Sequence, residues 1–242
     1  MEPNKAKDKI IVALDVSSLD EAKALVQELA PHVGAFKIGK ELFTAEGPKA
    51  FEYVHEQGAK IFYDSKFNDI PNTVAQAGTV AAKHGIWLFN IHCLGGKAML
   101  KETVDRVASF SREQGIRKPL IIGVTVLTSI NEDMLKNELL VNEPLADYAV
   151  HLAKMAKDAG LDGVICSPKE TRVIKEACGK DFLCITPGIR PKWASKDDQQ
   201  RITTPSQAVR DGADYLVIGR AITAQADRVG AVQRIVEEIE GV

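Results

Sequence analysis

Residues 60–74 read K-I-F-Y-D-S-K-F-N-D-I-P-N-T-V. The run begins with β-branched and aromatic residues, which are typical of a strand, and it passes into a helix at Pro71, a residue suited to a first helical turn. Side chains two apart in a strand point to the same side, so Asp64 and Lys66 are predicted to project together as an ion pair. Asp69 follows just past the strand. The pattern predicts side chains of alternating charge held by the rigid end of a strand. An ordinary solvated salt bridge at a strand end would give the same pattern.

The rest of the chain repeats this order of a strand followed by a helix. The predicted strands are Ile10–Asp15, Ala35–Ile38, the strand that begins at Lys60, Trp87–His92, Leu120–Thr125, Gly163–Cys166, Phe182–Thr186 and Tyr215–Ile218. The predicted helices are one capped by Ser18 and stopped by Pro31, followed by 41–57, 71–84, 97–114, a short one near 132–139, 144–159, 169–178, 205–211 and 229–239. This alternation predicts an α/β fold, a single-domain (β/α)8 TIM barrel. A doubly wound open sheet is the alternative, because alternation alone does not say whether the sheet closes.

Polar side chains collect at one end of the predicted strands. They lie at or just after the strand C-termini, and they are Asp15, Lys37, Asp64, Lys66, His92, Thr128, Arg190 and Arg220. In a closed barrel the C-terminal ends of all strands meet at one mouth, where active sites of this fold are built. Polarity scattered over the surface would not favour one end. The pattern therefore favours the barrel over the open sheet and predicts a site at this mouth.

The composition is that of an ordinary globular protein. The chain has 242 residues, 45% hydrophobic content and a formal net charge of -2, and no linker-like segment divides it, so we expect one domain over residues 1–242. Its basic residues are dispersed, which predicts no nucleic-acid partner. No segment approaches the ~18 consecutive apolar residues of a membrane span, and the charged opening lacks a signal-peptide core. We therefore expect a cytoplasmic protein without a membrane partner.

The loops after the seventh and eighth strands carry a pattern suited to phosphate. The seventh strand ends T-P-G-I-R at Arg190, and the eighth ends V-I-G-R at Arg220. In TIM barrels these two loops commonly hold a phosphate group, and Gly219 would allow close approach of the backbone while each arginine offers a fork of donors. The same glycine and proline residues could merely shape turns. The pattern nevertheless favours a phosphorylated ligand.

The motif D-S-K-F-N-D-I-P-N-T at 64–73 resembles the DxKxxDIPNT signature of the orotidine 5'-phosphate decarboxylases, in their bacterial form. Further segments similar to that family run along nearly the whole chain, in the order ALD, FKIGKELF, NIHCLGG, VTVLTS, LDGVICS, TPGIR and VIGRAI. The sequence departs from the usual pattern at Ser65, Phe67 and Asn68, where relatives often carry Leu, Leu and His. These departures lie between the functional positions. The resemblance implies a carboxy-lyase of the last step of de novo pyrimidine biosynthesis, which converts orotidine 5'-monophosphate (OMP) to uridine 5'-monophosphate (UMP).

The resemblance also implies roles for individual residues. The charged catalytic network would be Lys37, Asp64, Lys66 and Asp69. The substrate-binding residues would be Asp15 and Lys37 at the ribose, Thr128 at the pyrimidine, and Arg190, Gln199, Gly219 and Arg220 at the phosphate and the adjacent part of the nucleotide. In the family Asp69, Ile70 and Thr73 act across a dimer interface, which implies a homodimer. The loop from 191 to 201 is expected to close over the bound phosphate as a lid.

The implied chemistry is electrostatic and needs no metal or cofactor. Loss of carbon dioxide leaves negative charge on C6 of the pyrimidine, and the ammonium of Lys66 would stabilise that charge and then protonate C6. One alternative is a sugar-phosphate decarboxylase or synthase of the same superfamily, which uses magnesium and typically carries an acidic residue where this chain has Lys37. A catalytically silent barrel that binds a nucleotide is the other alternative. Lys37 argues against the first, since a cation there would repel the metal.

Overall fold

The computed structural model describes residues 5–194 and 203–241 and contains one closed barrel of eight parallel strands. The strands pair in sequence order, and β8 pairs with β1. The strands are β1 (Ile10–Leu14), β2 (Ala35–Ile38), β3 (Ile61–Phe67), β4 (Leu88–His92), β5 (Leu120–Val124), β6 (Gly163–Ile165), β7 (Leu183–Thr186) and β8 (Tyr215–Ile218). The (β/α)8 prediction is confirmed, and the doubly wound alternative is wrong because no edge is left open between β1 and β8.

Ten α-helices within the described residues surround the barrel. They are α1 (Leu19–Leu29), α2 (Lys40–Glu46), α3 (Lys49–Glu56), α4 (Pro71–Lys83), α5 (Gly96–Glu113), α6 (Leu145–Asp158), α7 (Thr171–Cys178), α8 (Pro205–Arg210), α9 (Arg220–Thr223) and α10 (Arg228–Glu240). The predicted cap of the first helix is present, since the Ser18 side chain accepts a hydrogen bond from the N–H of Glu21. None of these helices has the length and apolar character needed to cross a membrane.

Two helical predictions need correction. The segment predicted as one helix over 41–57 is divided into α2 and α3, because Gly47 adopts a positive φ of 60° and Pro48 follows it. The short helix near 132–139 contains a π-helical turn, Met134–Glu138. Both differences lie in connections outside the barrel strands, so they do not move the predicted mouth.

The core is divided by the barrel wall. Alternate strand residues such as Ile11, Phe62, Leu88 and Ile122 pack together in one buried cluster, while their neighbours pack in a larger cluster that includes the helices. This alternation follows from the period of two of a strand. It continues toward the C-terminal ends, so polar residues in register with the inner cluster face the inside of the mouth.

Candidate active site

Two adjoining cavities lie at the C-terminal mouth of the barrel. The first, about 590 Å³ including its open mouth, is lined by Lys37, Asp64, Lys66 and Thr128 together with apolar side chains of the later strands. The second is lined by Asp15, Lys37, Arg190, Gly219 and Arg220, with part of the loop after β7. Lys37, Pro187 and Val217 border both cavities. Eight of the predicted site residues are thus brought together at one place.

A chain of ion pairs crosses the floor of the two cavities. Lys37 Nζ lies 2.8 Å from Asp15 Oδ1 and 3.4 Å from Asp64 Oδ2, and Lys66 Nζ lies 2.6 Å from Asp64 Oδ1. The ends of β1, β2 and β3 supply these side chains, and their parallel register places them side by side. Lys37 is 8% exposed. The predicted ion pair of Asp64 with Lys66 is therefore present, and it is part of a network rather than a solvated surface pair.

The network fixes the charge of its buried members. Burial alone lowers the pKa of Lys37, but Asp64 and Asp15 together outweigh it, so the pKa of Lys37 lies above its usual value. Burial alone raises the pKa of Asp64, yet Lys37, Lys66 and the amide of Asn90 pull the pKa of that carboxyl below its usual value. Lys37 is therefore a cation and Asp64 an anion at neutral pH. A ligand group that reaches Lys66 meets a preorganised set of charges.

Strand β3 is irregular where it carries the network. In register with β4, Tyr63 pairs with Phe89 and Phe67 pairs with Ile91, so three residues of β3 lie opposite the single residue Asn90. Lys66 adopts a positive φ of 49°, a conformation that costs a non-glycine residue roughly 1–2 kcal/mol. The regular alternation expected from the sequence does not hold over 64–66. Backbone strain of this kind is typical of functional sites.

Asn90 is a residue of the site that the sequence patterns did not single out for a role. Its side chain is 0% exposed, its Oδ1 accepts a hydrogen bond from the N–H of Lys66 at 2.6 Å, and its Nδ2 donates to Asp64 Oδ1 at 2.7 Å. Asn90 is the first residue of the N-I-H-C-L-G-G segment, two positions before His92. Both residues therefore belong to the inner face of β4. A polar residue in the middle of an apolar strand was the available signal.

His92, at the end of β4, is half-buried and close to the lysines. Burial lowers the pKa of His92, and the positive charges of Lys66 and Lys40 lower it further against the opposing effect of Asp64. Its Nδ1 is buried and has no hydrogen-bond partner in the described part of the chain. The ring is therefore neutral at pH 7 and adds no positive charge to the network.

Three predicted residues stand apart from both cavities. Asp69 and Thr73 are exposed, Ile70 is 66% exposed, and all three lie at the loop after β3 or in the first turn of α4. The carboxylate of Asp69 accepts a hydrogen bond from the N–H of Ile70 at 2.6 Å and forms no ion pair with another described residue. Within one chain Asp69 therefore does not join the ion pairs of Asp64 and Lys66, and the prediction that it acts across a dimer interface stays a prediction.

The loop after β7 lies only partly within the described residues. Its base is fixed, since Arg190 N–H donates to the carbonyl of Thr203 and Thr203 N–H donates to the carbonyl of Gly188. The predicted phosphate ligand Gln199 and most of the predicted lid fall in 195–202 and lie outside the described residues. Within residues 5–194 and 203–241, no three His, Cys, Asp or Glu side chains are grouped as they would be to hold a metal ion.

Comparison with known proteins gives consistent matches over nearly the full length. A curated orotidine 5'-phosphate decarboxylase of Syntrophomonas wolfei is 47% identical over 237 residues, which cover 98% of this chain and 99% of the relative. One of Geotalea daltonii is 48% identical and covers 99% of both chains. The crystal structure of orotidine 5'-phosphate decarboxylase from Lactobacillus acidophilus superimposes with a TM-score of 0.84 at 39% identity, over 95% of this chain and 98% of that one. The model of the orotidine 5'-phosphate decarboxylase / HUMPS family matches residues 8–235, and the chain belongs to this family.

Proposed function

We propose that this protein decarboxylates orotidine 5'-monophosphate to uridine 5'-monophosphate without a metal or an organic cofactor. The observation that carries the proposal is the ammonium of Lys66, held 2.6 Å from Asp64 at the wall of a cavity that adjoins two arginines. The nearly full-length relatives that bear the name of this activity support it. A single barrel domain over residues 1–242 and a cytoplasmic location accompany the proposal as predictions.

The two cavities divide the substrate between them. The cavity beside Arg190, Gly219 and Arg220 would receive the phosphate, since two guanidinium groups match the charge and the geometry of a dianion. Lys37, which lines both cavities, and Asp15, which lines the second, would bind the ribose hydroxyls. The first cavity, mostly apolar apart from the charged network and Thr128, would receive the pyrimidine. Ile70, Thr73 and Gln199 are included in the proposed binding set on the family pattern.

The reaction needs an electrostatic partner for the carbon that loses its carboxylate. The bond from C6 to the carboxylate carbon breaks, its electron pair stays on C6, and neutral carbon dioxide leaves. Lys66 stabilises the negative charge at C6 and then donates a proton from Nζ, after which solvent restores the ammonium. Asp64, which touches Lys66 and Lys37, keeps the ammonium groups of both lysines in place.

The sugar-phosphate sister enzymes are the alternative within the same family. Magnesium prefers a set of carboxylate and water oxygens. Here the carboxylates of Asp15 and Asp64 are bridged by the ammonium of Lys37 at 2.8 and 3.4 Å, which disfavours a metal at that place. Product analysis decides between them. OMP should give UMP and carbon dioxide in equal amounts, and turnover of a keto-sugar phosphate that depends on magnesium would contradict the proposal.

The phosphate assignment predicts a selective loss on Arg220→Ala. Removal of a charge-assisted donor is expected to weaken UMP about 10–100-fold, since such contacts contribute roughly 1.5–3 kcal/mol each. Uridine, which lacks the phosphate, should lose much less affinity. Calorimetric titration of both ligands measures the difference. Arg172→Ala is a matched control, because Arg172 pairs with Asp211 on the outer helices and should leave both affinities unchanged. An equal loss for UMP and uridine would contradict the assignment.

We also propose that the site is completed by a second copy of the chain. In one chain the exposed Asp69, Ile70 and Thr73 stay outside both cavities, and Ile70 presents a large apolar side chain to solvent. A homodimer that brings these residues of one protomer over the mouth of the other would bury Ile70 and place Asp69 near Lys66. Two-fold symmetry would give two equivalent sites.

Mixing two inactive variants tests this arrangement. Protomers with Lys66→Ala and protomers with Asp69→Ala should each be inactive, yet mixed dimers would contain one site with intact Lys66 and intact partner Asp69. After subunit exchange, about a quarter of the wild-type activity is expected, because half of the dimers are mixed and each regains one of two sites.

The matched control mixes Lys66→Ala with Asp64→Asn. These residues touch within one chain at 2.6 Å, so their mixture should stay inactive in either arrangement. If the mixture of Lys66→Ala and Asp69→Ala also stays inactive while exchange of subunits is demonstrated, Asp69 does not act across the interface.

A further inference from the structure

A single residue of β4 holds three consecutive residues of β3. The Asn90 side chain binds the N–H of Lys66 through Oδ1 at 2.6 Å and Asp64 Oδ1 through Nδ2 at 2.7 Å. Its backbone carbonyl accepts the hydroxyl of Ser65 at 3.0 Å. These contacts also fix the orientation of the amide, because the oxygen has to face the N–H and the NH₂ group has to face the carboxylate. No other rotation of the amide satisfies both partners.

The contacts occur where the regular ladder of the two strands is broken. Between the pairs Tyr63–Phe89 and Phe67–Ile91, residues 64–66 of β3 lie opposite Asn90 alone. The register gives Lys66 no paired residue on β2 or β4, and a buried unpaired N–H is costly. Asn90 Oδ1 fills that place and supports the positive φ of Lys66, whose conformation directs the side chain.

We propose that Asn90 is a positioning residue for decarboxylation, which holds the Asp64 carboxylate and the Lys66 backbone so that the Lys66 ammonium points at C6. The inference rests on the proposed function. Asn90 lines neither of the two cavities, so it acts through Asp64 and Lys66 and not by touching the substrate. A rigid site of this kind depends on such support, because a misplacement of 1 Å can cost about 100-fold in rate.

The position opposite the Asp64 carboxylate and the Lys66 N–H requires a neutral amide such as that of Asn90. Asp64 Oδ1 already receives Lys66 Nζ at 2.6 Å, and Asn90 Nδ2 adds a second donor that stops the carboxylate from rotating. A carboxylate in place of the amide would keep the acceptor for Lys66 N–H but would oppose Asp64 with a second negative charge. The charged groups that face this point are Asp64 and Lys66 from β3 and Lys37 from β2, while the residue beside Asn90 on β5 is the apolar Ile122.

The substitution Asn90→Asp tests the inference through pH. At pH 7.5 we expect kcat to fall about 100-fold with KM changed less than about threefold, since the loss is one of orientation. At lower pH the new carboxyl gains a proton and can donate to Asp64 as the amide does. The ratio of the variant's kcat to that of the wild type should therefore rise as the pH falls from 8 to 5. Asn90→Ala should show a similar loss without this rise.

Asn137→Asp is the matched control. Asn137 Nδ2 donates to Asp133 Oδ1 at 2.6 Å on an exposed turn, so the same change of amide to carboxyl is made against the same type of partner away from the site. Its kcat should match the wild type at every pH. An Asn90→Asp enzyme within threefold of wild-type kcat, or one whose loss does not change with pH, would overturn the inference.

The remaining outcomes are also decisive. If neither Asn90 variant folds, as judged by circular dichroism, Asn90 serves the stability of the barrel and the positioning role is wrong. If the wild-type protein itself does not convert OMP, the proposed function fails, and that failure is seen before any variant is compared.

Discussion

Replacement of Lys66 by alanine is expected to lower kcat for OMP by about 10⁴-fold or more, while UMP binding stays within about threefold of the wild type. The loss combines two roles. Proton donation by a positioned side chain contributes typically 10²–10⁴-fold, and stabilisation of developing charge contributes a further 10²–10³-fold. Affinity for UMP should persist because the phosphate and ribose contacts of the second cavity do not involve Lys66. Steady-state rates and calorimetric titration with UMP measure the two effects.

Lys60→Ala is the matched control for this prediction. Lys60 precedes the same strand, and its ammonium packs 5.4 Å from the ring centre of Trp87, a member of the inner cluster at the far end of β4. The substitution removes a lysine that lies just before β3, at the end of the barrel opposite the mouth, where residues serve stability rather than catalysis. Its turnover should equal that of the wild type. Substantial residual turnover in Lys66→Ala would remove Lys66 from the role of proton donor.

Asp64→Asn is expected to reduce both turnover and stability. Asp64 is the carboxylate shared by Lys37 and Lys66, and its side chain is 13% exposed. Removal of its charge leaves two lysines without their common partner, and the loss of one member of a buried pair costs roughly 3–5 kcal/mol. Turnover should fall about 10³-fold, because Lys66 then loses its direction and its charged neighbour.

The stability difference should depend on pH in a defined sense. The pKa of folded Asp64 lies below its ordinary value of 3.8, so its stabilisation is complete above about pH 4 and is lost as the pH falls through the folded value. The pKa of folded Lys37 lies above its ordinary value of 10.5, so its contribution is complete below that pH and is lost as the pH rises through the folded value. Wild type and variant should therefore differ most between about pH 4 and 10.

Urea unfolding at several pH values measures this difference. Asp105→Asn is the control, since Asp105 pairs with Lys101 on the exposed face of α5 and such pairs contribute less than about 1 kcal/mol. A stability difference for Asp64→Asn that stays constant from pH 7 down through pH 2 would show that the charge of Asp64 does not stabilise the fold.

The sequence was sufficient to predict the barrel and most of its mouth. Each strand is a short apolar run, and the period of two places Lys37 and Asp64 on the inner face with Ala35 and Phe62. The rule that parallel strands present their C-terminal ends together then brings Asp15, Lys37 and Asp64 into one network. These predictions depend on local sequence patterns and on the alternation of strands and helices, and both can be read directly from the sequence.

Other features depend on long-range geometry that no local pattern carries. The irregular segment 64–66 reads as regular strand, and only its pairing with β4 reveals that three residues lie opposite Asn90. The contacts of Asn90 with Asp64 and Lys66 arise at that irregularity, so a polar residue within an apolar strand was a signal that did not by itself indicate those partners. The division of 41–57 at Gly47 and Pro48 had a visible turn signal, which the amphipathic pattern on either side obscured.

The position of Asp69 in the site cannot be read from the structure of a single chain. The family resemblance implies that Asp69 acts across a dimer interface, and in one chain the loop after β3 carries it to the exposed start of α4. Spacing along a strand predicts which face a residue occupies only while the strand lasts. Beyond Phe67 that rule ends, and the place of Asp69 in the site depends on the proposed partner subunit.

In the proposed function, the network of lysine and aspartate side chains decarboxylates OMP without a metal. The most direct test is the initial rate at which purified protein removes OMP absorbance, measured with and without excess EDTA. We expect rapid loss of absorbance at the same rate in both samples. No turnover of OMP, or turnover that EDTA abolishes and magnesium restores, would contradict the claim.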